Sequence, residues 1–272
     1  MPVCLSFAGV AGCIAFQVGS AKELVRLLAE EGEVVTAYAG LSSGSVVATL
    51  LALGYSPDEL EKHFVRFTAL FHRWHHYPVT HWFDHLRVLW KEIMPSNAYN
   101  LLSDRLYIGY SAVTCKGLEP RIISRYYSNE DVMRAIEVSC HIMPYRFLPV
   151  QWYRDEWCCD GAFSTRLLRP KGYRVIGLTP PMVHAHVFWS DWFPTLELYK
   201  MQRLQDAGQC FVQRHRNYFQ SLVRGEKAVT PILPTYFNPF RWIRRIAYLY
   251  VLYVLWFRCR RWLLMLAKWR YN

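Results

Sequence analysis

The chain has 272 residues and a formal net charge of +11, and 53% of its residues are hydrophobic while 16% are aromatic. This length suits one large domain, alone or with an appendage. The apolar content exceeds what an ordinary soluble domain needs, so the excess must be buried in a core or against lipid. None of the eight cysteines forms a Cys-x-x-Cys pair, and most lie within apolar runs, which argues against a zinc or disulfide framework and favours buried, reduced thiols.

The apolar periodicity predicts strands that alternate with helices. Such alternation indicates an α/β fold with a mainly parallel sheet that is covered on both faces. The apolar stretch 3–18 is not expected to be a secretory signal, because the first basic residue is Lys22. Gly9, Gly12 and Gly19 are expected to mark turns within it. In chain order, strands are predicted at 3–7, 34–39, 106–115, 119–125, 152–159 and 173–178, and helices at 21–31, 45–53, from Ser56 onward, 128–140 and 196–223, the last with a candidate interruption at Gly208.

A Gly-x-Ser-x-Gly motif, Gly40-Leu41-Ser42-Ser43-Gly44, lies between the second predicted strand and the helix that follows it. A serine on a tight strand-to-helix turn is held in a strained conformation, and only small residues fit beside it. The helix that follows directs free N–H groups at developing negative charge. Ser42 is therefore the predicted nucleophile, because it is the serine with glycines both two positions before and two positions after it.

A serine nucleophile needs a base, and two arrangements are open. One is a triad whose members follow the chain order serine, acid, histidine; here Ser42 would be followed by Asp160 as the acid and by His184 or His186 as the base. That hydrolase fold normally has several strands before its nucleophile, whereas Ser42 follows one strand, one helix and a second strand. The early position of Ser42 favours a different architecture with a two-residue site.

Several motifs in fixed order carry a family resemblance. Leu5-Ser6-Phe7-Ala8-Gly9-Val10-Ala11-Gly12 joins the end of the first strand to a Gly-containing turn from Ala8 to Gly12. The Ser42 motif follows, and Asp160-Gly161-Ala162 comes much later. Between them, residues 139–149 carry a Ser-Cys…Pro…Phe…Pro segment. Over about residues 3–180 the chain resembles the patatin-like phospholipase family. Its Ser-Phe-Ala-Gly opening looks closer to the animal neutral-lipid and phospholipid lipases of that family than to plant patatins.

The resemblance implies a three-layer patatin-like α/β domain with a Ser42–Asp160 dyad and no histidine. Asp160 would take the proton from Ser42 and return it to the leaving alcohol, or activate water. The resemblance also implies that Gly161 and Ala162 complete the motif of the base. Burial among apolar neighbours would make the carboxylate a stronger base. This chemistry requires no cofactor and no metal.

The oxyanion hole implied by the resemblance lies in the turn Gly9-Val10-Ala11-Gly12, with the amides of Gly9, Val10 and Ala11 as the expected donors. The turn departs from the pattern of the family, because it keeps only part of the glycines and contains no Arg or Lys. That departure bears on catalytic strength and not on the fold.

Five histidines fall among aromatic residues in one segment of the chain. No closed ligand set with acidic partners stands out there, so a metal site is not expected. An exposed lid or membrane-facing segment is the favoured interpretation. The residues concerned are His72, His75, His76, His81 and His85, with Trp74, Tyr77 and Trp82.

The C-terminal tail, defined as residues 227–272, holds nine basic residues and no acidic one, which leaves 23 basic and 21 acidic residues elsewhere. Its longest apolar run, Ile246–Phe257, has 12 residues, short of the ~20 that span a bilayer. Its Trp and Tyr residues suit the headgroup level, and its arginines suit anionic lipid. We expect a membrane-interacting helical segment through residues 239–272; a core helix packed on the sheet is the alternative, and a nucleic-acid arm would be less apolar.

The sequence thus predicts a domain over residues 1–226 and a membrane-binding tail over residues 227–272, in a protein that is intracellular and membrane-associated. The predicted function is a serine lipid acyl hydrolase, a phospholipase A, lysophospholipase or acylglycerol lipase, with lipid as the partner and no nucleic acid. One alternative is a Ser-Asp-His α/β-hydrolase or lipid acyltransferase. The other is a catalytically silent membrane-binding protein that keeps the fold.

Overall fold

The fold is described from a computed structural model, and the residues it describes are 1–73, 82–142, 148–184, 187 and 197–228. Strands and helices alternate through the first half of the chain, as the apolar pattern predicts. The strands are β1 Val3–Phe7, β2 Val35–Leu41, β3 Leu106–Thr114, β4 Gly117–Ile123, β5 Gln151–Tyr153, β6 Glu156–Cys159 and β7 Arg174–Leu178. The helices are α1 Ile14–Glu30, α2 Ser43–Ala52, α3 Pro57–Arg73, α4 Trp82–Ile93, α5 Ala98–Leu102, α6 Asn129–Ser139, α7 Pro180–His184, α8 Leu198–Arg214 and α9 Arg216–Arg224.

The strands form one mixed sheet whose centre is parallel. β3, β2, β1 and β7 lie side by side in that order, and each neighbouring pair is parallel. β4, β6 and β5 extend the sheet with antiparallel pairings beyond the centre. The prediction of a mixed α/β fold with a mainly parallel central sheet is therefore confirmed.

The arrangement around β3 determines where the polar residues of the site meet. β4 pairs with β3 along one edge, so β2 and β6 share the opposite edge of β3. On that edge β2 pairs with the first half of β3, and β6 pairs with Ser111 and Ala112 of β3. Because β2 is parallel and β6 antiparallel to β3, the last residue of β6 lies next to the point on β3 where β2 ends. The residue after β6, Asp160, and the residue after β2, Ser42, consequently lie at the same end of the sheet.

The described helices pack on one face of the sheet. Leu5 and Phe7 on β1 and Ile176 on β7 join buried side chains from these helices in the largest apolar cluster. On the opposite face, Cys4 and its neighbours on β2 are covered by Leu168, which lies in the loop before β7. Among the described residues, the layer on this second face is thus a loop rather than a helix.

The sequence predicted a turn at Gly19 and a helix interruption at Gly208, and both predictions are wrong. α1 begins at Ile14, not near residue 21, and runs through Gly19; α8 runs through Gly208. A Cβ at Gly19 would lie 2.0 Å from the carbonyl oxygen of Gln205, and one at Gly208 would lie 2.1 Å from that of Phe16. Both glycines allow α1 and α8 to approach closely.

Two other predicted elements are divided in the structure. The strand predicted at 152–159 is a hairpin, because Arg154 and Asp155 adopt positive φ angles of 47° and 63° and form its turn between β5 and β6. The helix predicted at 196–223 breaks at His215, between α8 and α9. The predicted helix start at Ser56 is confirmed by a reciprocal capping box with Glu59.

Some of the predictions lie outside the described residues. These are the tail from residue 229 onward and the side chains of the histidine- and aromatic-rich segment. None of the described helices is long and apolar enough to cross a bilayer.

Candidate active site

The turn that follows β2 holds Ser42 in a strained backbone conformation. Ser42 has φ 50° and ψ −130°, a combination that few non-glycine residues adopt. A Cβ at Gly40 would lie 2.4 Å from the carbonyl oxygen of Gly44, and one at Gly44 would lie 2.3 Å from that of Phe7. The two glycines therefore let the chain turn sharply against β1, which is the steric reason for this motif.

Ser42 contacts Asp160 directly. Its Oγ donates a hydrogen bond of 2.6 Å to Asp160 Oδ2, although the two residues are 118 positions apart in the sequence. The other carboxyl oxygen, Oδ1, accepts from the backbone N–H of Ala162 at 2.8 Å. Asp160 is 2% exposed. Burial raises its pKa to about 7, while the hydrogen bonds from Ser42 and Ala162 oppose that rise.

Buried serines on neighbouring elements fix the positions of both groups. Ser139 Oγ accepts from the backbone N–H of Ser42 at 2.8 Å and donates to the carbonyl of Gly109 at 2.6 Å. Ser111 Oγ donates to the carbonyl of Asp160 at 2.7 Å. Ser139 belongs to the segment noted in the sequence. Ser111 was missed, because an isolated serine inside a strand gives no local signal.

The turn between β1 and α1 lies against this pair. A Cβ at Gly9 would come within 2.8 Å of the Ala162 Cβ and 3.0 Å of the Ser42 Cβ, so glycine is required there. Ala11 adopts a positive φ of 48° and, with Gly9 and Gly12, lines the cavity described below. The N–H of Val10 instead donates to Ser43 Oγ at 3.1 Å. Of the four predicted residues, Val10 is thus the one whose amide is already engaged.

Gln17, one turn into α1, fixes the orientation of this loop. It is fully buried, and its Nε2 donates to the carbonyl of Ala8 at 2.6 Å. The Ala8 carbonyl and the Gly9 N–H belong to one planar trans peptide and point in opposite directions. Gln17 therefore sets the direction of the Gly9 N–H. Sequence reasoning missed it, because residues 14–20 were not assigned to a helix.

An apolar cavity of about 100 Å³ opens beside Ser42 and Asp160. Ser43, Val46 and Leu50 line it from one face of α2, so it follows that helix for about 10 Å. The other apolar lining residues are Ile14, Phe64, Phe83, Leu86, Leu89, Trp90, Ile93, Ile142 and Phe163.

The cavity has a deep end and a mouth. Phe83 and Trp90 on α4 are 1% and 2% exposed and form part of its interior. The half-buried lining residues mark the mouth, and they are Ala11, Ser43, His63, Ile142 and Ala162. Arg87 holds α4 in place by pairing with Glu130 and Glu137 on α6.

The histidines of the alternative triad are not tested by the geometry. His184 ends α7, but its side chain and the whole of His186 lie outside the described residues. In the described part of the chain, the side-chain oxygens of Asp160 bond to Ser42 and to Ala162. Within the same part, no group of three His, Cys, Asp or Glu residues is placed to hold a metal ion.

Comparison with known proteins gives matches to a family model, to curated proteins and to a solved structure. A family model described as patatin-like phospholipase matches residues 5–104. Human patatin-like phospholipase domain-containing protein 4 is 28% identical over 183 residues, which cover 65% of this chain and 70% of that protein. Mouse omega-hydroxyceramide transacylase is 26% identical over 60% of this chain and 28% of its own length. The structure of VipD from Legionella pneumophila aligns with a TM-score of 0.38 at 12% identity, over 65% of this chain and 49% of that one.

The α/β fold brings Ser42 and Asp160 into contact, and the family model covers the part of the chain that contains Ser42. Over residues 5–104 the chain is similar to the patatin-like phospholipase family, and the curated relatives named above come from animals. It spans less than a third of the mouse transacylase.

Proposed function

We propose that the protein is a serine lipid acyl hydrolase in which Ser42 is the nucleophile and Asp160 is the base. The observation that carries the proposal is the 2.6 Å hydrogen bond between Ser42 Oγ and a buried carboxyl group. A carboxylate is ordinarily too weak a base to activate a hydroxyl group. Burial brings the pKa of Asp160 near neutrality, where a general base works best.

The reaction proceeds through an acyl-enzyme. Asp160 removes the proton as Ser42 Oγ attacks the ester carbonyl, and the carbonyl oxygen becomes an oxyanion. Asp160 then returns the proton to the leaving alcohol. In the second half, water loses a proton to Asp160 and attacks the acyl carbon. Asp160 then passes that proton to Ser42 Oγ as the ester bond breaks, which releases the fatty acid and restores the Ser42 hydroxyl.

The turn at Gly9 and the N-terminus of α2 are placed to stabilise the oxyanion. Gly9 lies against both Ser42 and Ala162, and α2 begins directly after Ser42. Backbone N–H groups and the positive end of the helix dipole favour negative charge at this point. The amides of Gly9 and Ala11 are better donors than that of Val10, which already bonds to Ser43.

The cavity supports a lipid as the substrate. Its apolar walls suit an acyl chain and offer few partners to a polar substituent. The chain would lie along α2, with its ester carbonyl at Ser42. The test is to incubate the purified chain with a dispersed short-chain ester and with phospholipid or acylglycerol vesicles, and to measure fatty acid release. Folded protein that releases none from any ester would contradict the proposal.

Acyl transfer is the second candidate, and the matches to omega-hydroxyceramide transacylases favour it. An alcohol could replace water in the second half-reaction, because Asp160 can deprotonate either. Adding a long-chain alcohol to the same assay separates the two activities. A hydrolase yields mainly fatty acid, whereas a transacylase yields mainly the new ester.

Substitution of Gln17 tests the oxyanion turn. Gln17→Met keeps the length of the side chain but removes the donor to Ala8, so the Gly9 N–H loses its fixed direction. We expect kcat to fall about tenfold or more with KM little changed, and the affinity for a trifluoromethyl ketone transition-state analogue to fall in parallel.

Gln205→Met is the matched control for that substitution. Gln205 is also buried, on α8 beside α1, and like Gln17 it has an Oε1 without a partner among the described residues. Its replacement should leave kcat and the affinity for the analogue unchanged. Two results would show that Gln17 acts only through the stability of the fold. One is an equal loss of kcat in the two variants, and the other is a loss of kcat in proportion to the fall in melting temperature.

The tail is proposed to hold the enzyme on its substrate surface, and this proposal rests on sequence alone. Its aromatic and basic residues suit the interface between headgroups and acyl chains. A chain that ends at residue 228 should keep its activity on a dispersed short-chain ester but lose most of its activity on vesicles. Equal vesicle activity with and without the tail would refute the anchor.

A further inference from the structure

An exposed apolar surface lies on the hairpin formed by β5 and β6. The Trp152 side chain is 51% exposed, and Leu148, just before β5, is 44% exposed. The Trp152 ring stacks edge-on against that of Trp157, with 5.3 Å between the ring centroids. These three residues are called the hairpin patch. Large apolar side chains grouped in this way commonly mark an interaction site.

The hairpin patch is continuous with the mouth of the cavity. Trp157 packs with Ile142 against a small cluster that contains Phe163, and both Ile142 and Phe163 line the cavity. The backbone supplies a second link, because the carbonyl of Leu148 bonds to the ring of His141, the residue before Ile142. A surface that contacts the hairpin patch therefore meets the entrance through which a substrate must pass.

Arg134 on α6 places a positive charge beside the hairpin patch, where it can bind a phosphate group. Of the nearby acids, Asp131 and Glu156 are neutralised by ion pairs with Arg154 and Arg121. Asp155 is exposed in the turn between β5 and β6. Arg134 is exposed, and its guanidinium lies 3.5 Å from the carbonyl oxygen of Trp152. In the part of the chain that the structure describes, no ion pair involves Arg134, so its charge is available to a ligand.

We propose that the hairpin patch and Arg134 form a second membrane contact, which docks the cavity mouth on a phospholipid surface. Tryptophan suits the headgroup level, and arginine binds the phosphate beside it. This contact is separate from the tail: it orients the entrance toward the bilayer, so that an acyl chain can enter without crossing water. The inference rests on the proposed function in taking the substrate to be a lipid.

The test compares full-length variants on two substrates. Trp152→Ala combined with Leu148→Ser is assayed on phosphatidylcholine vesicles with phosphatidylserine and on a dispersed short-chain ester. We expect the ratio of vesicle activity to dispersed-ester activity to fall about tenfold, because a large apolar side chain leaves the lipid. Arg134→Gln should lower that ratio as well, and more on vesicles that contain phosphatidylserine than on phosphatidylcholine alone, because net negative charge strengthens the attraction of arginine to the surface.

The matched control is Val34→Ser. Val34 is 74% exposed and precedes β2, so it lies at the end of the sheet opposite Ser42. Its substitution should leave the ratio unchanged. A contact measurement independent of catalysis uses vesicles of brominated phosphatidylcholine, which quench tryptophan side chains that enter the bilayer. The quenched fraction of the tryptophan fluorescence should be smaller in Trp152→Phe than in the wild type.

The following outcomes overturn the inference or separate it from the proposed function. An unchanged ratio, or an equal fall in Val34→Ser, shows that the hairpin patch does not dock. An equal loss on both substrates assigns these residues to the fold or the cavity. If the wild type forms dimers without vesicles and Trp152→Ala is monomeric, the hairpin patch binds a second copy of the chain instead of a membrane. If the wild type hydrolyses no ester but brominated lipid still quenches Trp152, the proposed function fails and the docking surface stands.

Discussion

Replacing Ser42 with alanine should lower kcat for ester hydrolysis by a factor on the order of 10⁴ to 10⁶. The substitution removes the atom that forms the acyl-enzyme, so the remaining rate would come from binding and from the oxyanion turn alone. The fold should survive, because alanine removes one hydroxyl group from a residue that is 9% exposed. The measurement is kcat on a dispersed ester, together with the melting temperature.

Ser124→Ala is the control for this result. Ser124 follows β4 and bonds to Asp104 at the surface, away from the cavity lining. Its substitution should leave kcat within about twofold. A Ser42→Ala protein that is folded and still fully active would assign the nucleophile elsewhere, with Ser43 as the first residue to examine.

Replacing Asp160 with asparagine should lower kcat by about 10²- to 10⁴-fold, the usual contribution of a general base. Asparagine has nearly the same shape, so the contacts to Ser42 and Ala162 can persist while the proton acceptor is lost. In a parallel variant, His184→Ala with His186→Ala, activity should be retained. Loss of activity in the histidine variant would move the protein to a Ser-Asp-His hydrolase.

The pH dependence of wild-type activity should report the ionisation of the Asp160 carboxyl group. Asp160 accepts the proton only when ionised, and burial raises its pKa to about 7. We therefore expect kcat/KM for a non-ionising ester to rise with pH through about 7 and to level off above it. A flat profile between pH 5 and 9, or the same rise in Asp160→Asn, would contradict this assignment.

The elevated pKa also has a consequence for stability. Because the folded-state pKa of Asp160 lies above its ordinary value of 3.8, the native state binds the proton more tightly than the unfolded state does. The contribution of Asp160 to the free energy of unfolding is therefore greatest below about pH 4 and declines as the pH rises from about 4 to about 7. Asp160→Asn, which stays neutral, should thus gain stability relative to the wild type at pH 8, by an amount on the order of a few kcal/mol.

The parts of the fold that depend on local patterns could be predicted from the sequence. The strand Val3–Phe7 and the helix start at Ser56 lie where the apolar period and the capping residues indicate. Ser42 could be identified because glycines two positions away report the steric demands of its turn. Asp160 could not be paired with Ser42 from spacing alone, because 118 residues separate them; the ordered motifs of the family provided that link.

The parts that depend on packing could not be predicted in this way. Gly19 and Gly208 favour turns locally, but contact between α1 and α8 decides their positions. The hairpin at Arg154-Asp155 lacks the glycine or asparagine that usually identifies such a turn. Apolar residues at helical spacing in α4, from Phe83 to Ile93, carried a signal that was missed, and they line the cavity.

Activity-based labelling tests the central claim most directly. The wild-type chain is treated with a fluorophosphonate, and the modified residue is mapped by mass spectrometry. We expect the adduct on Ser42, no adduct in Ser42→Ala, and slow labelling in Asp160→Asn that does not increase between pH 6 and pH 8. Folded wild-type protein that remains unlabelled, or an adduct on another serine, would contradict the account.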